Sequence, residues 1–130
     1  FPTRRSSDLV GLKPGEMAIG LKIPYVEGQK AVFTKFDRRK EVDLSTVCAT
    51  VGKFGEDYRV AIGSCAPTPI RLPKTEALLK GKKLTPELIG EAAELAGSEV
   101  SPISDVRASA EYRISLVKVA VRRSLAELSV

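Results

Sequence analysis

The chain has 130 residues, 43% hydrophobic and only 5% aromatic, enough for one domain with an aliphatic core and too few for two comfortable ones. It contains no His, which removes Ser-His-Asp and Cys-His catalysis and His-bearing zinc sites. No run approaches the roughly 18 apolar residues of a membrane span. The net charge of +5 is mild, and it lacks the basic stripe and aromatic platforms of a nucleic-acid binder.

Along the chain, an extended half precedes a helical half. The stretch GEMAIGLKIP alternates, with Met17, Ile19, Leu21 and Ile23 on one side, and predicts a half-buried strand that Pro24 ends. KAVFTKFDRR predicts a second strand, with Val32, Thr34 and Phe36 on one face and Ala31, Phe33 and Lys35 on the other. Two further strands follow around a glycine-bearing turn at Gly52 to Asp57; Val47, Ala49 and Val51 alternate in the first, Val60 and Ile62 in the second. Gly63 marks a bulge or a close backbone approach. Cys48 and Cys65 lie far apart in sequence and outside any Cys-x-x-Cys, and read better as buried small hydrophobes than as a disulfide.

The prolines of APTPIRLP argue against regular structure. KTEALLKG predicts a short helix with Gly81 just past its end. LTPELIGEAAELAG predicts a longer one, capped by Thr85, opened by Pro86 and stopped at Gly97. The longest helix is expected from about Ser109 to Leu128, where Ile114, Val117, Val121, Leu125 and Leu128 form one apolar stripe. Strands first and helices afterwards predict an α+β fold: a small antiparallel sheet of three to four strands packed against three helices.

Two short motifs yield to simpler readings. LLKGKKLT lacks the spaced glycines of a phosphate loop, and its Gly81 ends a helix. VGKFGED has the Gly-x-x-Gly of a backbone clamp, but between strands it is a hairpin turn. KFDRRKEVD gathers Lys35, Arg38, Arg39 and Asp43 at a strand exit, which on residue type alone is a solvated charged loop. SPISDVRASAEYR concentrates Asp105, Arg107, Glu111, Tyr112 and Arg113 at a helix start, and reads as a capping and ion-pair network in which Ser109 or Asp105 satisfies free N–H groups and Arg107 pairs with a carboxylate.

GEMAIGLKIP, FTKFDRRKEVDLSTV, RVAIGSCAPTPIRLPKTEALLKG and PISDVRASAEYRISLVKVAVRRSL occur in this order. From about Leu12 to Leu128 the chain resembles the C-terminal domain of the FAD-binding (medium) subunit of molybdenum hydroxylases, the carbon monoxide dehydrogenase and xanthine dehydrogenase family. The resemblance implies a domain that helps position FAD, which passes electrons from iron–sulfur clusters to NAD or another acceptor. The implied partners are a molybdenum-cofactor large subunit and an iron–sulfur small subunit. The implied assembly is a cytoplasmic dimer of heterotrimers, with no nucleic acid and no membrane span. The main FAD cradle, with its glycine-rich loops, lies upstream in the family, so the fragment alone is not expected to be active.

Carried over by position, Lys35 matches the family's aromatic-x-Lys strand near the flavin. Asp43 matches the acid after the paired arginines, with Glu41 as its alternative and Arg38 and Arg39 as flavin-loop neighbours. No residue is assigned as catalytic or as a metal ligand. The alternatives are a subunit-interaction domain of the same fold without flavin contact and, more distantly, a small nucleic-acid-binding domain.

FPTRRSSDL is expected to be no part of that domain: ttc-cct-aca-cga-cgc-tct-tcc-gat-ct, a sequencing adapter, encodes it without a mismatch. Residues 1–9 are therefore read as an artefact, 10–15 as the remnant of a linker from an FAD-binding domain, and 16–130 as the flavoprotein C-terminal domain.

Overall fold

The computed structural model describes residues 12–39 and 43–130. Its order is β1 (Lys30–Phe36), β2 (Val47–Phe54), β3 (Asp57–Gly63), β4 (Ile70–Arg71), α1 (Pro73–Leu79), α2 (Pro86–Glu99) and α3 (Ala110–Leu128). The strands form one antiparallel meander in the order β1-β2-β3-β4. The expected α+β architecture is the one observed.

Alternation decides which sheet face is covered. Val47, Ala49, Val51, Val60 and Ile62 are buried, and Val32 and Phe36 pack against them from β1. This face meets α3 and α1, with α2 stacked on both. In α3 the predicted stripe is the buried one, from Val117 through Val121 and Leu125 to Leu128. Each fully buried aliphatic side chain contributes about 1.5–3 kcal/mol. Thr34 and Ser124 share a hydrogen bond of 3.0 Å across the β1–α3 contact.

Among the described residues, no helix lies on the opposite sheet face. Register places Lys35 beside Cys48, and Cys48 beside Gly63; Phe33, on the same face, is 63% exposed. Gly63 is the expected close approach, since a Cβ there would meet Cys48 Sγ at 2.6 Å. Both cysteines are free. Burial pushes the Cys65 thiol up to about 11, against a smaller lowering by Arg113, so it is a neutral core group at neutral pH.

Four local expectations need correction. Residues 15–24 form no strand: Ile19 and Leu21 are 93% and 94% exposed, and the segment joins no ladder among the described residues. Alternation supplies an apolar side to a strand but not a hydrogen-bonding neighbour. Conversely, APTPIRLP does contain a strand. β4 fits between its prolines, pairing Ile70 with Ile62 and Arg71 with Ala61 at the sheet edge, where proline is tolerated.

The β2–β3 turn is tighter than predicted: Gly52 lies within β2, and Phe54 pairs with Asp57 across Gly55–Glu56. Gly55 supplies a φ of +63°, as two-residue hairpin loops require. Finally, α2 runs past Gly97 to Glu99. Gly97 is there for contact, because a Cβ would meet Lys118 Cε at 2.6 Å. The other caps hold: the Thr85 side chain accepts from Leu88 N, Ser109 from Tyr112 N, and Gly81 has a φ of +68°.

Candidate functional site

Lys35 and Asp43 sit at the β1 exit, where the chain leaves the sheet and returns into β2. Lys35 Nζ donates to the Asp43 backbone oxygen at 2.8 Å and lies 3.2 Å from Asp37 Oδ2. Its side chain is 34% exposed. The first contact is a hydrogen bond and the second an ion pair.

The Asp43 carboxylate faces its own loop. Oδ2 accepts from Arg38 N at 2.9 Å and Arg39 N at 3.0 Å, and Oδ1 accepts from Leu44 N at 2.9 Å. The Arg39 guanidinium adds a contact of 3.7 Å. These bonds, led by the one from Arg38 N, lower the Asp43 pKa against an opposing effect of burial. The structure therefore brings Lys35 and Asp43 together through the Asp43 main chain, while the acid fastens the loop. Arg38, Arg39 and Asp43 line a shallow depression of about 320 Å³. Glu41, the alternative acid, lies outside the described residues.

A second polar cluster, gathered by the sequence at the approach to α3, reaches the start of β2 through Thr46. Asp105 Oδ1 accepts from Arg107 N at 2.8 Å and Ala108 N at 3.1 Å, as the capping network predicts. Arg113, which the sequence places in this cluster without a role, is only 4% exposed. It donates to Thr46 O at 2.6 Å, Ser64 O at 3.0 Å and Asp105 Oδ1 at 2.8 Å. One guanidinium thus ties together the start of β2, the turn after β3 and the approach to α3. Ser64 takes a left-handed φ of +66° beside it. The Arg107 N–H, followed by the Arg113 side chain and the Ala108 N–H, brings Asp105 down to about 2 against burial. Arg113 stands four residues before Val117 on the buried face of α3, and only the facing carbonyls reveal its purpose.

A cleft of about 470 Å³ opens above this clamp, between Leu44, Cys65, Pro67, Pro69 and Ile103. Among the described residues no group of three or more acidic or Cys side chains could hold a metal ion, and no helix is long and apolar enough to cross a membrane.

Residues 31–128 match the CO dehydrogenase flavoprotein C-terminal domain. Among curated proteins, the chain is 31% identical over 119 residues to the glyceraldehyde dehydrogenase medium chain of Sulfolobus acidocaldarius, covering 88% of this chain and 42% of that one. It is 35% identical over 85 residues to the nicotine 6-hydroxylase medium subunit of Paenarthrobacter nicotinovorans, covering 65% and 30%. Among solved structures, carbon monoxide dehydrogenase from Hydrogenophaga pseudoflava, in a form lacking the Mo-pyranopterin moiety, superposes with a TM-score of 0.71. It shares 30% identity, with 78% of this chain and 37% of that one covered. Quinoline 2-oxidoreductase from Pseudomonas putida 86 superposes with a TM-score of 0.70 at 27% identity, over 78% and 37%. The chain spans less than half the length of these relatives. With its sheet, three trailing helices and matched sequence, the chain belongs to the CO dehydrogenase flavoprotein C-terminal domain family, a flavoprotein subunit domain of the molybdenum hydroxylases.

Proposed function

We propose that this domain helps hold the flavin of a molybdenum hydroxylase, within a subunit whose principal FAD-binding domain is a separate unit. When bound, FAD relays electrons from iron–sulfur clusters to NAD or another acceptor. This chain's part is to present a cation and to shape one wall of the site. Partners on this reading are a molybdenum-cofactor large subunit and an iron–sulfur small subunit, in a cytoplasmic dimer of heterotrimers. On this reading residues 16–130 act as the domain.

One observation carries the reading. Lys35 stands on the sheet face that no described helix covers, in register with Cys48, which pairs in turn with Gly63, and its side chain is one-third exposed. Small neighbours let a planar group approach the ammonium, so the residues fit a flavin ring. A positive charge there favours the more negative, reduced form of the ring, the more so as water is excluded. Asp43 contributes by fastening the loop that carries Arg38 and Arg39. In the complete subunit, Lys35→Ala is expected to lower flavin content and to lower its reduction potential; no change in either removes Lys35 from the site.

A second reading has its own observation. Met17, Ile19, Leu21 and Ile23 are 78–94% exposed in a segment without regular structure, which suits a domain that joins subunits without touching flavin. Retention of flavin contact at Lys35 in the complete subunit separates the two.

A further inference from the structure

The strand exit holds two carboxylates with different employment. Asp43 is taken up by three backbone N–H groups and Arg39. Asp37 is not: its Oδ2 lies 3.2 Å from Lys35 Nζ, and both side chains are about one-third exposed, at 30% and 34%. The two residues stand two apart at the end of β1, so they leave the strand on the same side. The charge that the sheet's uncovered face offers a ligand is thus a pair, whose field falls off faster than that of a lone cation.

We propose that Asp37 is the residue that offsets Lys35 and so lowers the flavin's reduction potential, an inference that rests on the flavin reading above. Asp37 is a positioning residue: it touches Lys35, and it acts on the ligand by neutralising and tethering that ammonium. The sign follows from electrostatics. A lone Lys35 would stabilise the reduced ring; its partner carboxylate takes part of that stabilisation away. An Asn at this position can still accept from Lys35 through its amide oxygen, so Asp37→Asn removes the charge while leaving the contact geometry available.

The test is a redox titration of the flavin in the complete, flavin-loaded subunit, with the parent, Asp37→Asn, Asp37→Glu and Lys35→Ala measured in one buffer at low salt. Asp37→Asn is expected to raise the reduced-to-oxidised ratio at fixed potential about tenfold, 29.6 mV for a two-electron couple. Asp37→Glu keeps the charge and stays near the parent, which a merely structural role for the side chain does not explain. Lys35→Ala moves the potential the other way. If Lys35→Ala lowers the potential while Asp37→Asn leaves it unchanged or lowers it, Asp37 has no such role and the flavin reading stands. If neither uncharged variant moves the potential, the flavin reading itself falls. Asp37→Ser serves as a second uncharged variant should Asp37→Asn not accumulate as folded protein, and is held to the same outcome.

Discussion

The Arg113 clamp and the 12–29 segment are opposite solutions to the same problem of what to do with chain outside regular structure. Around Arg113, three loop or strand-end segments are irregular yet fixed, because a buried guanidinium donates to two carbonyls and a carboxylate. In residues 12–29, the chain is irregular, with turns at 14–15 and 27–28, and its apolar side chains are exposed. The first region is complete within this domain. The second has the pattern of a strand without a neighbour. Order here comes from partners, and hydrophobic content alone does not supply them.

The comparison breaks first at Arg113. Arg113→Ala takes the guanidinium donor from Thr46 O and Ser64 O and one of three donors from Asp105 Oδ1, and each buried acceptor left unsatisfied costs about 1–3 kcal/mol. Urea unfolding should show that loss; a change under about 1 kcal/mol would mean the loops hold without the clamp.

Acid probes the same cluster from the other side. The folded pKa of Asp105, about 2, lies below the ordinary carboxyl value of 3.8. Its contribution is therefore fully present above about pH 4 and is lost as pH falls through 2. The parent's stability should fall through that window, with a shallower fall in Asp105→Asn. Parallel curves would contradict the assignment.

A smaller effect is expected at Glu99, which caps α1 from the end of α2 by accepting from Lys74 N at 2.9 Å and Thr75 N at 2.7 Å. Glu99→Gln should cost about 1 kcal/mol in the same unfolding experiment. Smallest of all is Ile19→Ser, expected to stay within about 0.5 kcal/mol because the side chain is 93% exposed. A loss of 2 kcal/mol there would show that the segment packs on the domain after all.

What the sequence made legible follows the same division. Periodicity found the α3 stripe, the alternation of β2 and β3, and the caps at Thr85 and Ser109, because each is decided by residues within a few positions. It failed where the deciding partner is remote. Residues 15–24 alternate without a ladder neighbour, and Ile70–Arg71 pair with β3 despite flanking prolines. Gly97 reads as a stop until Lys118 is seen lying across it. At the candidate site, Lys35 and Asp43 were found through resemblance, and they do meet. The manner of meeting was hidden: the acid's oxygens turn to backbone N–H groups, and Asp37, a residue of no evident pattern, takes the ammonium.

The most direct test of the central claim asks whether flavin covers Lys35. The complete subunit, stripped of flavin, would be treated with an amine-acylating reagent with and without added FAD, and the labelled lysines mapped by mass spectrometry. FAD should protect Lys35 severalfold while Lys82, at the far end of the domain in the turn after α1, labels equally in both samples. Equal labelling of Lys35 with and without FAD would contradict the account.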